Sequence, residues 1–561
     1  MIRDQITKAL NQALLSAKLP SEAFTLEHPA DLSLGDYATN IALILAKKHN
    51  HQALEVASKI VREILHQDYS WLAKVEVAGP GFINFYLSDQ YLFSELAIIK
   101  KTDPYGLNQS KHGQKIIIEY TDPNPFKLFH IGHLMSNTIG ESIARLLEFS
   151  GAEIKRACYQ GDVGLHVAKT IWGIKQNLSQ LPTDNESLVN KVAFLGLAYS
   201  AGSKAFELAT TEIKAEILAL NKKIYNRSDQ EINTLYDLGK KWSLEYFESI
   251  YQRLGTKFDF YFFESKTGDF GRQVVENHPT VFVKSEGAVV YQGEAEGLHT
   301  RVFINQEGLP TYEAKELGLA KIKYDHYPYD LSLVVTGNEI SEYFRVLLSA
   351  LKKVFPDLAL KTKHLAHGML RLPSGKMSSR TGEVISAEDL VVEIKNKLSE
   401  KIGEKKITVS DLVLDQIAVG AIKYSILKQD SQKDLIFDLE KTVSFDGNSG
   451  PYLQYTYARA ISLLAKANFS STEYLVPDQA SPLEHLLYRF PEVVEYSAEN
   501  YAPHHLCTYL YELASTFNNF YNQDKIIGAP DEAYRLALTS ASAQILKTGL
   551  GLLGIISPEK M

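Results

Sequence analysis

The feature that most constrains this chain is a strand–loop–helix–strand unit near its first fifth. Lys115-Ile116-Ile117-Ile118-Glu119-Tyr120 is a short apolar, β-branched run with the signature of a buried strand. The loop Asn124-Pro125-Phe126-Lys127-Leu128-Phe129-His130-Ile131-Gly132-His133 follows. Leu134, Ile139, Ile143, Leu146 and Leu147 then recur at helical spacing until Gly151, and Ile154–Tyr159 reads as a second strand. Such a unit belongs in a parallel sheet, where ligands sit at the carboxyl ends of the strands against helix N-termini that favour phosphate. His130 and His133, three residues apart, point to one side of the first helical turn. Gly132 between them leaves room for a flat base or ribose to approach the backbone. On the histidines alone, a helix start with two surface imidazoles fits as well as a ligand site. A zinc centre has no cysteine ligand nearby.

At 561 residues, with 45% hydrophobic and 22% charged residues, the chain is long enough for several ordinary globular domains. No apolar run is long enough to span a membrane, and no signal peptide is evident at Met1. Cys158 and Cys507 are the only cysteines, which fits a reducing, cytoplasmic setting and leaves no cysteine-rich metal module. A net charge of −8 gives no global attraction for nucleic acid, so any RNA contact must use local patches and stacking.

Met1 to about Thr102 reads as an opening module, with helices at Ile2–Ala17 and within Asn40–His66. There Gly79-Pro80-Gly81 turns into the alternating strand Phe82–Leu87. Phe82 and Asn84, two apart, share a face of that strand, as they would in a purely structural hairpin. A linker from Thr102 to Gly113 leads to a nucleotide-type fold from about Lys115 to about Leu372. It is interrupted by a long helical stretch between about Thr183 and Leu254. Val281–Val290 and Arg301–Ile304 read as strands, and Leu331–Val335 as another. Tyr312 and Glu316 share a helix face, as a solvated surface pair also would. The segment Pro373-Ser374-Gly375-Lys376-Met377-Ser378-Ser379-Arg380 is small, hydroxylated and basic, suited to polyphosphate. Neither a P-loop nor a strand-linked G-x-G-x-x-G is present. Beyond about Ser386 the chain reads helical. The part after Gly450 holds eleven of the 31 tyrosines with few cations, so RNA contact there is expected from stacking, although most of these rings belong in a helical core.

His130-Ile131-Gly132-His133 is identical to the HIGH motif of class I aminoacyl-tRNA synthetases, and Lys376-Met377-Ser378-Ser379 resembles their KMSK loop, about 240 residues on. The neighbouring residues resemble the arginyl-tRNA synthetases in particular. These are Glu119, Asn124 and Lys127, the Tyr312-x-x-x-Glu316 helix, Gly79–Phe85, Gly450-Pro451-Tyr452-Leu453-Gln454-Tyr455 and Arg535-Leu536-Ala537-Leu538. Four departures stand out. Ser379 replaces the second KMSK lysine, and Glu316 replaces an aspartate. Thr336-Gly337-Asn338-Glu339 lacks the glutamine of many relatives, and Tyr457 stands for a common histidine.

The resemblance implies a Rossmann-type α/β parallel-sheet catalytic domain, an α+β N-terminal domain and an all-α C-terminal domain. The expected boundaries are 1–110 for the tRNA-elbow-binding domain and 111–375 for the catalytic domain, with its insertion at about 183–254. The KMSK-like loop and stem-contact region follow at 376–449, and a DALR-type anticodon-binding domain at 450–561. It implies ligation of L-arginine to tRNA(Arg) by way of arginyl-adenylate, with tRNA required for activation. It implies Lys127, His130, His133 and Lys376 as catalytic residues that stabilise charge on the phosphates. ATP would be bound by His130, Gly132, His133, Lys376, Met377 and Ser378, with Mg²⁺ as the accompanying ion and no resident metal. Arginine would meet Glu119, Asn124, Tyr312 and Glu316, with Glu316 on the guanidinium and Glu119 and Asn124 nearer the α-amino end. The tRNA would meet Phe82, Asn84, Tyr452 and Tyr455. A monomer is expected. A class I synthetase for another amino acid and an inactive tRNA-binding paralogue remain the alternatives. Of the former, the cysteine enzyme is disfavoured because two cysteines cannot build its zinc site.

Overall fold

The computed structural model describes residues 1–208, 211–371, 386–404, 409–467, 474–523 and 525–561. At the N-terminus, strands β1 (Leu26–Glu27), β2 (Tyr37–Thr39), β3 (Leu72–Ala78) and β4 (Phe82–Leu87) form an antiparallel sheet in the order β1-β2-β4-β3. The helices Ile2–Ser16, Ile41–His49 and Ala53–Leu65 supply its cover. Ile83 and Phe85 alternate into the core with Ile6, Leu10, Leu45 and Ile60, while Phe82 points out. The turn into β4 needs its glycine: Gly81 has φ +132°, and a Cβ there would meet Ala53 at 2.9 Å.

The central sheet is wholly parallel. Its strands are β5 (Lys115–Glu119), β6 (Glu153–Gln160), β7 (Phe260–Phe263), then β11 (Leu331–Gly337) and β12 (Thr362–His367), in the order β12-β11-β5-β6-β7. The chain lays β6 and β7 to one side of β5 and returns to lay β11 and β12 on the other. The order therefore reverses between β5 and β11, which opens a crevice at their carboxyl ends. The helix Ile131–Phe149 joins β5 to β6 and buries Leu134, Ile139, Ile143, Leu146 and Leu147, as its spacing predicts.

Two readings are refined. The run Val281–Val290 is two strands, β8 (Val283–Ser285) and β9 (Ala288–Tyr291), folded back at Glu286 (φ 49°) and Gly287 (φ 82°). With β10 (Arg301–Ile304) they form a separate antiparallel sheet, because two consecutive positive-φ residues close a hairpin that an apolar count overlooks. The stretch 183–254 contains the helices Leu188–Leu208, Thr211–Asn226 and Gln230–Leu254, and the last of them is built into the core. Tyr246, Phe247, Ile250, Tyr251 and Leu254 join the same core as the sheet and the Ile131–Phe149 helix.

A short parallel pair, β13 (Leu370–Arg371) and β14 (Leu435–Ile436), precedes the C-terminal bundle. The bundle consists of the helices Gly450–Lys466, Pro482–Leu487, Phe490–Glu499, Pro503–Gln523 and Glu532–Leu552. Its interior is continuous with that of the parallel-sheet domain: Leu510, Leu513, Leu546 and Leu550 belong to the cluster that holds Ile143 and Leu147. Most bundle tyrosines are core or half-buried.

Candidate active site

The loop after β5 is bent into conformations that side chains rarely adopt. Thr121, Asp122 and Phe126 have φ of 82°, 46° and 70°. Each such residue costs about 1–3 kcal/mol unless its surroundings hold it, and here they do. Asp122 Oδ1 accepts the Tyr159 N–H at 2.7 Å, and the Phe126 N–H donates to Ser243 Oγ at 2.9 Å. The Phe126 ring lies where a side chain at residue 239 would be, so the glycine there is required.

This bent loop delivers His130 to the N-cap of the Ile131–Phe149 helix. The His130 Nδ1 accepts the Gly132 N–H at 3.1 Å, and the His133 Nδ1 accepts the His130 N–H at 3.2 Å. The pair is a capping box in which two imidazoles replace the usual serine and glutamate. The rings stack with centroids 3.6 Å apart and planes 21° from parallel. Since a backbone N–H only donates, each Nδ1 is an acceptor and each proton resides on Nε2. Burial, together with the Lys127 charge, lowers His130 to about 4. Burial, then His130 and Lys127, hold His133 well below the usual imidazole range. Near neutral pH both rings are uncharged Nε2–H donors. Gly132 has a reason other than room for a ligand: a Cβ there would lie 2.9 Å from His130 Cε1. Lys127 is half-buried with its Nζ 5.6 Å from the Tyr199 ring centroid.

Lys376, Met377 and Ser378, with Ser379 and Arg380, lie outside the described residues. The chain that follows them is anchored at the histidines: Ser386 forms an antiparallel bridge with His130, and the Ala387 N–H donates to the Phe129 carbonyl at 2.9 Å.

Across the crevice lies an acidic cluster. Glu119, at the end of β5, pairs with Lys323 at 2.8 Å, both almost fully buried. Glu264 pairs with Lys315 at 2.6 Å, equally buried. Asn124 turns its amide onto Gly161, where a Cβ would overlap Asn124 Oδ1. Tyr312 opens the Tyr312–His326 helix, largely exposed, with the Lys315 ammonium 5.1 Å from its ring centre. Glu316, one turn on, has no hydrogen-bond or ion-pair partner among the described residues. Burial and the neighbouring Glu119, against the opposing pull of Lys323, raise its carboxyl well above the usual range. Asp122 is raised too, by burial and then by Glu119. Four carboxyls are thus set against two ammonium groups, which leaves the cluster two cations short when all four are ionised.

Family models match in three consecutive stretches: the arginyl-tRNA synthetase N-terminal domain over residues 1–87, the catalytic domain of class I tRNA synthetases (R) over 96–439, and the DALR anticodon binding domain over 453–561. The chain belongs to the arginyl-tRNA synthetase family. It is an enzyme, an arginine–tRNA ligase (EC 6.1.1.19), that ligates L-arginine to tRNA(Arg) with ATP. It is similar to the arginine–tRNA ligase of Flavobacterium psychrophilum, 32% identical over 87% of each chain. The one from Clostridium perfringens is 31% identical over 96% of each. Among solved structures, the arginyl-tRNA synthetase of Thermus thermophilus aligns over 100% of both chains with a TM-score of 0.81 at 24% identity, which supports the three-domain fold.

The residues expected to meet tRNA lie outside this crevice. Phe82 is 39% exposed on the outer face of the N-terminal sheet, whereas Asn84, on the same face, is 4% exposed in the middle strand β4. Tyr452 and Tyr455 are half-buried on the first helix of the bundle. Arg459, which sequence reading overlooked, lies with its guanidinium 4.8 Å from the Tyr455 ring and 5.0 Å from the Tyr521 ring. Sequence reading also overlooked Lys315, Lys323 and Glu264. Lys323 had a signal, since it lies seven residues beyond Glu316 and so on its helix face. Glu264 had none, because only the sheet brings it to this helix.

Proposed function

We propose that the crevice between β5 and β11 divides the reaction in two. The histidine end takes the phosphates of ATP and the acidic end takes the arginine side chain. The observation that carries this reading is the cation deficit around Glu316 beside a helix N-terminus whose cap leaves two Nε2–H donors without a partner among the described residues. A guanidinium is planar, always charged and rich in N–H groups, so a carboxylate without a partner matches it in charge and shape. Glu316 takes the fork, and Tyr312 packs beside it. With Glu119 already paired to Lys323, its part is to fix that lysine and the floor of the pocket, while Asn124 reaches the α-amino end.

In the first step an arginine carboxylate oxygen attacks the α-phosphorus in line, the bond to the bridging oxygen breaks, and pyrophosphate leaves. His130 and His133 donate Nε2–H bonds to the phosphate oxygens as negative charge gathers on them, and Lys127 adds positive potential. Lys376, Met377 and Ser378 belong to this end by resemblance. In the second step a terminal ribose hydroxyl of the tRNA attacks the arginyl carbonyl and AMP departs. Mg²⁺ would accompany ATP and neutralise part of the charge on its phosphate oxygens.

Phe82 offers an exposed ring for an unpaired base, Tyr455 offers an edge beside Arg459 for stacking, and Tyr452 offers a further half-buried ring on the same helix. Activation that waits for tRNA is supported by the contacts of the bundle with the histidine helix: Arg145 Nη1 donates to the Gly551 carbonyl at 3.0 Å and Ser142 Oγ to that of Leu552 at 3.2 Å. A monomer is the state proposed for the protein. Cys158 and Cys507, buried and unpaired with each other, suit a reducing cytoplasm. No helix among the described residues is long and apolar enough to cross a membrane. The test is arginine-dependent ATP–pyrophosphate exchange, with and without tRNA, for the wild type and Glu316→Gln. Exchange by the wild type that requires tRNA and is lost in the variant supports the assignment. Equal exchange in the two proteins refutes it.

A further inference from the structure

Away from the crevice, the N-terminal domain and the C-terminal bundle meet over a buried polar cluster. Tyr488, just past the Pro482–Leu487 helix, packs into the apolar core of the N-terminal domain, with its ring 6.2 Å from that of Tyr37 and 6.1 Å from that of His28. Beside it, two histidine–carboxylate pairs cross the boundary in opposite senses. Asp36, just before β2, is almost fully buried, and its Oδ1 accepts the Nδ1–H of His485 from the bundle at 2.6 Å. Its Oδ2 accepts the Leu87 N–H at 2.8 Å. Glu492, on the bundle helix Phe490–Glu499, accepts the Tyr37 hydroxyl at 2.5 Å and lies 3.4 Å from His28 Nε2. Each side of the boundary thus supplies one histidine and one carboxylate.

Both pairs depend on a proton. His28 Nδ1 lies 2.7 Å from the Asp36 carbonyl oxygen, which only accepts, so that nitrogen carries a hydrogen. The bond from Nε2 to the Glu492 carboxylate needs a second one, and the two bonds form together only on an imidazolium. His485 faces three carboxylates: Asp36 across the boundary, Glu484 on its own helix and Asp89 at the start of the Asp89–Lys101 helix. Burial disfavours its charge, but the Asp36 bond and the three negative charges outweigh burial and hold the imidazole above its usual range. Glu484 also accepts from the Tyr534 hydroxyl at 2.7 Å, and Asp89 accepts the Ala480 N–H at 2.7 Å. On the side of Glu492, the further charges are Glu495 on the next turn, with Arg3 and Asp4 of the first helix bearing on it. Arg489 is 3.8 Å from Glu512.

We infer that His28 and His485 form a pH-sensitive clasp between the N-terminal domain and the bundle: with two protons on each ring the domains are held docked, and loss of one from each lets them part. The sign follows from the direction at His485. A pKa raised by docking adds a contribution that is complete below about 6.5 and is lost as pH rises through the raised value. With the clasp closed, Phe82 and Tyr455 stand at a fixed spacing for one tRNA to bridge, so less freedom is lost when it binds. That consequence rests on the tRNA contacts proposed above, whereas the clasp itself does not.

The test uses the full chain with spin labels on two introduced cysteines, Leu15→Cys on the first helix and Tyr496→Cys on the Phe490–Glu499 helix. Both positions are exposed, whereas Cys158 and Cys507 are buried and escape labelling. Distances between the labels are measured at pH 6 and at pH 8.5. The ratio of parted to docked molecules is expected to rise roughly 5- to 10-fold over that range, the scale on which a hydrogen bond weakens when it loses its charge. In the double variant His28→Gln/His485→Gln the ratio should stay at its high-pH level throughout. A tRNA(Arg) transcript at about a hundred times its Kd should lower the ratio roughly 100-fold, because it holds both domains. A ratio that does not change with pH in the native background, or that changes equally in the double variant, overturns the clasp. A ratio that follows pH and the two histidines but ignores tRNA keeps the clasp and overturns the reading of Phe82 and Tyr455 as faces for one tRNA.

Discussion

At the scale of single residues, the site shifts its carboxyls and its imidazoles alike towards their uncharged forms. Glu316 and Asp122 are pushed up by burial and by Glu119, while His130 and His133 are pushed down. A bound guanidinium restores the charged form of Glu316, so arginine binding should release protons in the pH range where the free enzyme still holds them. Calorimetry of arginine binding in buffers of different ionisation enthalpy measures that release, and Glu316→Gln should abolish it. A carboxyl with a raised folded-state pKa gives stability that is present at low pH and lost as pH rises through that pKa. Glu316→Gln should therefore raise the thermal midpoint of the free enzyme at pH 8 while lowering kcat/KM for arginine roughly 10²- to 10³-fold, the cost of an unpaired buried cation. For the histidines the sign is reversed: with His130 at about 4, no imidazole at the cap titrates between pH 6 and 8. The kcat/KM for ATP should show no ionisation from them in that window. His133→Ala should lower kcat roughly 10²- to 10³-fold by removing a donor. A histidine titration near 6.5 that disappears in His130→Ala would contradict the neutral-donor account.

At the scale of elements, the strand–loop–helix unit was legible because its signals are local. The β-branched run, the helical spacing from Leu134 to Leu147 and the stop at Gly151 all lie within one stretch of chain. The geometry of the cap was not legible, since H-x-x-H is not a usual capping sequence and the roles of the two imidazoles depend on a loop bent at Thr121, Asp122 and Phe126. Gly132 shows the difference. Its smallness reads as space for a nucleotide, yet the His130 ring already occupies the space a Cβ would take. Gly132→Ala should therefore act by displacing His130. The expected result is a fall in adenylate formation comparable to that of His130→Ala, with little further loss when the two are combined. Additive losses would mean that Gly132 serves the ligand directly. Likewise Tyr312 and Glu316 were legible as one helix face, but the ion pairs Glu119–Lys323 and Glu264–Lys315 join elements far apart in sequence.

At the scale of the whole molecule, the C-terminal turn is bound to the back of the histidine helix by its carbonyls. Arg145 reaches the carbonyls of Gly551 and Gly255, and Lys423 reaches those of Gly554 at 2.8 Å and Leu254 at 2.5 Å. These contacts tie the last bundle helix, the Gln230–Leu254 helix and the Ile131–Phe149 helix into one junction. Lys423 is almost fully buried, and burial, followed by the Arg145 charge, lowers its ammonium to about 7. The unfolded chain holds that proton to about pH 10.5. Between pH 7 and 10.5 the unfolded state is thus the more protonated one, and stability should increase with pH by up to about 1.4 kcal/mol per unit. That gain is lost as pH falls back toward 7. Lys423→Met should flatten the dependence, and hydrogen exchange of residues 551–556 between pH 7 and 9 measures it at the junction itself. If the junction transmits tRNA docking to the histidines, Arg145→Ala should lower kcat for aminoacylation roughly ten-fold or more, a loss of about 1.4 kcal/mol of transition-state stabilisation, while tRNA affinity stays near wild type. A variant that loses tRNA affinity and keeps kcat at saturating tRNA would show the junction to be a scaffold for the bundle and not a connection to the site.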